Sequence, residues 1–291
     1  MSVDNSSLLS NKNSVTSEMM YSLKNSAGTS RRYRASIPPS NFSTNIPPTS
    51  NVLFSIPCGR KNTYLDGQNS YLKLTIKNND HTASTYFNLD GCGASFINML
   101  TVYHSGNLVD QCPNYNTLFN HLMDFQSNFS QHVGGLSAYL GTSNNIYNTD
   151  VNVVSNGNTI AAGTTIGTIK GTSFLSTRGG AYIPKGGSLT VCLPLLCSIF
   201  LNSDEMIPLG KLKVDFELQV LLETLVKSVV TSSVTSAWVI QYAELVLEIV
   251  ELSDTSQQIV DSFSPPDQPI YIHSNEWRNF SVPLPSGQTG L

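Results

Sequence analysis

Between Lys211 and Leu222 the chain alternates without a break. Leu212, Val214, Phe216, Leu218 and Val220 are apolar, and Lys211, Lys213, Asp215, Glu217 and Gln219 between them are polar. A period of two puts all the apolar side chains on one face, so the pattern predicts a half-buried β-strand over 211–222. Shorter patterns predict strands at Val52–Ile56, ended by Pro57, and at Tyr71–Lys77, with Leu72, Leu74 and Ile76 on one face. Further strands are expected near Ser95–His104 and at Ser188–Leu193. Trp238–Val250 is dense in Val, Ile, Trp and Tyr, which favours a strand over the helical spacing that Glu244 and Glu248 also fit. Asp66-Gly67 and Ser105-Gly106-Asn107 carry turn chemistry. One helix stands out, Tyr115–Gln126, in which Leu118, Leu122 and Phe125 recur at helical spacing and Asn114 or Asn116 can serve as cap. Ser253-Asp254 is placed to cap a second, short helix through Ile259 and Val260; Pro269–His273 and Glu276–Val282 then read as new strands.

The segments between these elements divide the chain. Residues 1–50 are more than half Ser, Asn, Thr and Pro and hold no sustained hydrophobic period. Such a composition buries too little surface to offset its ordering entropy, so this segment reads as a flexible arm preceding a domain at 51–252. Removing residues 1–50 is accordingly expected to leave a folded domain. Residues 127–187, rich in Gly, Ser, Thr and Asn, read as long surface loops with short strand pieces at Asp150–Val154 and Thr159–Ile169. Residues 253–291 read as a linker helix and the first strands of something further.

Composition narrows the function classes. Charged residues make up 12% of the 291 residues, about half the usual share of a soluble domain, which suits strands and turns better than helical bundles. The net charge of −4 supplies no global basic field for nucleic acid. The one basic cluster is Arg31, Arg32 and Arg34 around Tyr33, readable as a solvated run or as a contact with an acidic partner, a neighbouring subunit or nucleic acid. No stretch approaches the roughly 20 apolar residues of a membrane span, and the first residues carry no basic-then-apolar export pattern. Five cysteines, Cys58, Cys92, Cys112, Cys192 and Cys197, sit in or beside apolar segments and read as buried thiols.

Signatures of catalysis are missing. The sequence has no G-x-S-x-G elbow, phosphate loop or H-E-x-x-H pair, and His81, His104, His121, His132 and His273 are scattered. Asp204-Glu205, Asp66, Asp90, Asp110 and Asp124 read as acids of surface loops. We expect no enzyme activity, no cofactor and no metal site.

Taken in order, several motifs resemble the major capsid proteins of tailless icosahedral double-stranded DNA viruses, which have a double jelly-roll fold. The virophage, polinton-like and adintovirus-like branch is the most similar. Phe54–Arg60 (FSIPCGR), Tyr64-Leu65-Asp66 and Ser70–Leu74 (SYLKL) look like the family's first strand, loop and second strand. Leu193-Pro194-Leu195 and Ile207-Pro208-Leu209-Gly210 resemble its recurring Leu-Pro-Leu and Ile-Pro-Leu-Gly elements. Glu248–Leu252 looks like the end of the first roll, and Trp277–Gly287 like the opening strand of a second. The resemblance implies an all-β, eight-stranded antiparallel jelly roll with a short helix and long loops. It also implies a structural protein of the virion, assembled inside the host cell as homotrimers of pseudo-hexameric outline. Implied partners are other copies of itself, penton and minor capsid proteins, and packaged DNA through Arg31, Arg32 and Arg34. A minor or penton single jelly-roll capsid protein, and a carbohydrate- or receptor-binding β-sandwich, are the alternative readings.

Overall fold

The longest apolar pattern in the sequence forms the spine of a sheet. In the computed structural model, which describes residues 30–41, 44–79, 87–126, 139–142, 153–155, 158–160, 179–183, 185–201, 205–230, 237–263, 271–272 and 276–277, Trp238–Leu252 is one continuous strand. In chain order the strands are β1 (Ser30–Ile37), β2 (Asn51–Ile56), β3 (Thr63–Asn78), β4 (Phe87–Asp90), β5 (Ile97–His104) and β6 (Asn107–Pro113). They continue with β7 (Val153–Ser155), β8 (Asn158–Ile160), β9 (Gly179–Ile183), β10 (Ser188–Pro194), β11 (Phe216–Leu222), β12 (Val229–Val230) and β13 (Trp238–Leu252). Among the described residues, helices α1 (Tyr115–Gln126), α2 (Leu225–Ser228) and α3 (Asp254–Phe263) join them.

Eight of these strands build two antiparallel four-stranded sheets, ordered β1-β13-β3-β10 and β2-β11-β5-β6. Alternation does the sorting. Phe216, Leu218, Val220 and Leu222 of β11 face inward, as do Leu72, Leu74 and Ile76 of β3 and Trp238, Ile240, Leu245 and Leu247 of β13, all in one buried cluster between the sheets. Trp238 is fully buried and meets Phe96 edge-on, with ring centroids 4.7 Å apart, a favourable aromatic geometry. Short β4, β9 and β12 form a third sheet, and β7 pairs with β8; β7 and β8 overlap the short strand pieces expected within 127–187, whereas β9 has no counterpart among them.

The sequence-based boundaries need five corrections. First, the expected flexible arm is built into the fold from Ser30: β1 pairs with β13 along its whole length, from Ser30 opposite Leu252 to Ile37 opposite Leu245. Tyr33, Ala35 and Ile37 pack on the core. Low hydrophobicity hid a strand that needs only one apolar face. The ladder to β13 ties Ser30–Ile37 to the domain, and Ile46, which bridges Ile240, is tied to it as well. Second, strand β11 starts at Phe216, not Lys211. Leu209–Lys211 is a 3-10 turn, closed by Leu212 N–H to Leu209 O, and Val214 is exposed. Asp215 accepts the Cys58 N–H and the Ser55 hydroxyl, so the alternation ran on through a tether.

Third, Asp66-Gly67 is a bulge inside β3 rather than a turn. Val246 faces Tyr71 and Glu248 faces Asp66, so residues 67–70 stand opposite the single residue Leu247. The Asp66 carboxylate accepts from the Asn69 backbone and side chain, and the Ser70 hydroxyl donates to Asp66 O. Fourth, Gly93–Phe96 is a 3-10 turn, and the strand expected from Ser95 begins at Ile97. Fifth, helix α1 buries Tyr115 and Phe119, whereas Phe125, expected on the inner face, is almost fully exposed. The strand expected at Pro269–His273 is described only at 271–272, and that at Glu276–Val282 only at 276–277, with no strand at either; the remainder lies outside the described residues.

Because successive strands of the two main sheets run in opposite directions, the connections gather at two ends. One end holds 57–62, the tight Ser105-Gly106 turn, and the described residues 195–201 and 205–215. There Ser105 (φ 53°) and Gly106 (φ 77°) adopt the left-handed pair that a two-residue hairpin requires. The other end holds the described parts of the remaining connections, 38–41 and 44–50, 87–96, 114–126 with α1, and 223–230.

Candidate interaction site

Arg31, Arg32 and Arg34 all lie on β1, at the edge of the first sheet. Tyr33, Ala35 and Ile37 take the inner face, so Arg32 and Arg34 project from the outer one. There they meet acids of the two neighbouring strands. Arg32 pairs with Asp66 at 2.8 Å and Glu248 at 3.6 Å, and Arg34 pairs with Glu248 at 2.9 Å. The Glu248 side chain is only 10% exposed, while the arginines are 50% and 65% exposed. The roll body therefore supplies a shielded acidic seat and β1 supplies the solvated cations. The Glu248 hydrogen bond raises the Arg34 pKa further above its ordinary value. Arg31, at the strand's end, lies over the Tyr33 ring at 5.3 Å, and Arg34 over Tyr71 at 5.9 Å.

The same face continues along β3 and β13. Lys73 Nζ lies 3.2 Å from Glu244, which also accepts a hydrogen bond from the Tyr242 hydroxyl. Burial alone would raise the Glu244 pKa, but the hydrogen bonds from Tyr242 and Lys73 outweigh it and hold the carboxyl below its usual range. This outer face is a cross-strand lattice of opposite charges, each pair adding specificity of register more than bulk stability.

A second polar cluster pins the corner after β10. Tyr115 Oη donates to Pro194 O at 2.9 Å and accepts the Leu196 N–H at 3.3 Å. Asp110, 5% exposed, accepts the Ser198 N–H at 2.8 Å. Burial raises the Asp110 pKa, opposed by the Ser198 and Gln111 N–H groups, and the nearby Glu276 charge adds to the rise. Burial also lifts Cys112 to about 11 and Cys197 well above the ordinary thiol value. Asp110 thus departs from the surface-loop reading. Its signal was available in the sequence: two residues before Cys112, it shares that residue's inward face.

All five cysteines are free thiols, with Cys92, Cys112 and Cys197 buried. His104 stacks on Phe216, and His121 lies exposed on α1; His81, His132 and His273 fall outside the described residues. So do Asp204 and the side chains of Asp90 and Asp124. Among the described residues, no group of three or more His, Cys, Asp or Glu is arranged to hold a metal ion, and no helix is long and apolar enough to cross a membrane.

Counting only the strands of the two main sheets, the first pairs with the eighth (β1·β13), the second with the seventh (β2·β11), the third with the sixth (β3·β10) and the fourth with the fifth (β5·β6). Four concentric antiparallel pairs rolled into two facing sheets define a jelly roll. No family model matches the chain, and no curated protein matches it in sequence. Solved structures that it resembles include the Faustovirus major capsid protein, 11% identical, with 84% of this chain and 58% of that chain covered and a TM-score of 0.48. The cryo-EM structure of the Sputnik virophage is 11% identical over 78% of this chain and 49% of that one, with a TM-score of 0.45. PBCV-1 VP54, fitted into a reconstruction of Sputnik, is 12% identical over 79% and 45%, with a TM-score of 0.41. The chain spans about half the length of these three. At such identities the likeness concerns the fold.

Proposed function

We propose that the chain is a structural protein of a viral capsid, a jelly roll that packs beside copies of itself in the icosahedral shell of a double-stranded DNA virus. The observation that carries this reading is the complete set of four concentric strand pairs, from β1 with β13 to β5 with β6. The ordered motifs that resemble the capsid family, including those of its virophage and polinton-like branch, support it. Trimeric capsomers of pseudo-hexameric outline, contacts with penton and minor capsid proteins, and residence in the virion follow from the same reading.

The two ends of the roll differ in a way that suits a shell. One end carries α1 and the small β4-β9-β12 sheet, and the other carries the Ser105-Gly106 turn, the start of β1 and the end of β13. In the proposed shell the end with α1 and the small sheet faces outward and the opposite end faces neighbours or the interior. Arg32 and Arg34 are engaged by Asp66 and Glu248, which favours a role in holding β1 over a role in gripping packaged DNA. Arg31 stays available to a neighbouring subunit or to nucleic acid.

The test is to express the gene product that contains this chain, measure its mass in solution by light scattering and image it by electron microscopy. Trimers that close into shells or hexagonal arrays are expected. Location at five-fold vertices alone would shift the assignment to a penton protein. A monomer at all concentrations, absent from particles, would overturn the reading.

A further inference from the structure

Four strands stand at the edges of the two main sheets, β1 and β10 in one and β2 and β6 in the other. β1 presents Arg31, Arg32 and Arg34, charge of the kind that discourages further pairing. Beside β2 the chain has already folded back: Ser40 N–H donates to Leu53 O at 2.7 Å, and the Asn41 side chain bonds both Asn51 O and the Leu53 N–H. β10 exposes only Ser188, Thr190 and Pro194. β6 is different. Leu108 and Val109 are 54% and 42% exposed, and among the described residues no other edge strand of the main sheets exposes a large aliphatic or aromatic side chain. Native folds cover or charge such an edge.

The chain itself arrives at this edge. After α3, whose Asp261 pairs with Lys211 at 3.2 Å, Ile272 packs on the core and Trp277 is 40% exposed. Between them, the Glu276 charge acts on Asp110, the residue that follows Val109 on β6. Residues 278–291 lie outside the described residues, and their sequence carries a period of two: Phe280, Val282 and Leu284 alternate with Ser281, Pro283 and Pro285. Extended, such a stretch has one apolar side, with both prolines on the other, where a missing N–H costs nothing. A residue before proline also favours the extended region. We propose that residues 278–285 lie in extended form beside β6, with Phe280, Val282 and Leu284 covering Leu108 and Val109. The occupant is this chain's own segment. It is tethered directly to Trp277, so its effective concentration at β6 exceeds that of a free strand. Its reach of roughly 26 Å is ample for the seven residues of β6. The proposal concerns the fold of one chain and stands apart from the assembly reading.

Trypsin reads the contact, because Arg278 opens the segment. In the full gene product the bond after Arg278 is expected to be cut slowly. Leu108→Glu/Val109→Glu puts charge where the segment lies; both side chains are already exposed, so the roll should melt as in the wild type. Cleavage after Arg278, followed by mass spectrometry, should then quicken about tenfold. Ser281→Glu, on the opposite side of the segment, should leave the rate unchanged. Rapid cleavage in the wild type, or an unaltered rate in Leu108→Glu/Val109→Glu, would overturn the proposal. So would protection that falls on dilution, which would assign the covering segment to a second copy. Should the double variant melt early, Phe280→Glu/Val282→Glu repeats the test from the segment's side by hydrogen exchange. Backbone amides of β6 are expected to exchange about tenfold faster than in the wild type, with those of β10 unchanged; unmoved β6 amides would overturn the proposal equally.

Discussion

Gly67 is the residue whose replacement the structure penalises most legibly. It sits in the β3 bulge against the corner that follows β10, and a Cβ built on it would lie 2.3 Å from Ile199 O and 2.9 Å from Phe200 Cα. Since real Cβ contacts essentially never fall below 3.0 Å, Gly67→Ala must push the Ile199 carbonyl away by 3.0 − 2.3 = 0.7 Å. That carbonyl cannot move alone. Phe200 N–H bonds Cys197 O, Leu201 N–H bonds Ser198 O, and Ser198 N–H is held by Asp110. Lifting the corner would also loosen Ile199 and Phe200, each only 2% exposed. Overpacking against fixed backbone of this kind costs about 2–4 kcal/mol, which for a domain of this size lowers the melting temperature by roughly 6–12 °C. Gly106→Ala is the control. It has positive φ but nothing within 4 Å, so it bears only the left-handed backbone penalty, about 1 kcal/mol. Thermal unfolding followed by circular dichroism and tryptophan fluorescence compares the two. Equal melting temperatures for both variants would show that the corner is not packed on the bulge, and would refute the reasoning.

Further outcomes follow from the same geometry. Removing residues 1–29 keeps all eight strands of the roll, whereas removing residues 1–37 deletes β1 and should yield aggregated or early-melting protein, read by size exclusion and thermal unfolding. Tyr115→Phe strips partners from Pro194 O and Leu196 N–H and should cost about 1–2 kcal/mol in denaturant unfolding. With Cys112 pushed up to about 11, its thiolate is on the order of one in a thousand at pH 8. Iodoacetamide should therefore label half-buried Cys58 and Cys192 first, and Cys112 and Cys197 only on unfolding, as mass spectrometry of digested protein would reveal. Asp110 has a folded pKa raised above its ordinary 3.8, so its contribution is full below that value and is lost as pH rises through the folded one. Asp110→Asn, which keeps an acceptor for Ser198, should flatten that part of the stability–pH curve; an unchanged slope would count against a buried, charge-disfavoured Asp110.

What could be read from the sequence divides along a physical line. Strands whose apolar side faces a closed core announced themselves: β2, β5, β10 and β13 were each expected within a few residues of where they lie, because Val52, Leu100, Val191 and Leu245 have no other place to go. Strand β1 did not. At the edge of a sheet, one side chain in two is solvated and charged, and only Tyr33, Ala35 and Ile37 carry the inward signal, diluted by Ser, Arg and the prolines that follow. Composition averaged over fifty residues then outweighed an eight-residue alternation. The candidate interaction site was half legible for the same reason. Arg31, Arg32 and Arg34 were visible as a cluster, but Asp66 lies 34 residues from Arg32 and Glu248 lies 214 from Arg34. Their meeting depends on register across β1, β13 and β3, which no local pattern encodes.

That register changes what the basic cluster means. Read alone, three arginines in a polar arm offer positive charge to any acidic partner. Seated on β1, two of them are the complement of acids that the body of the roll holds in fixed positions, and removing either side leaves the other with uncompensated charge. A cluster evolved only to bind nucleic acid would gain from lying free of carboxylates, since each internal pair cancels charge that phosphate could use. Here the pairing is built in at 2.8 and 2.9 Å. The arrangement therefore favours recognition of β1 by its own seat over recognition of a polyanion. The specificity resides in Asp66 and Glu248 as much as in the arginines that the sequence displays.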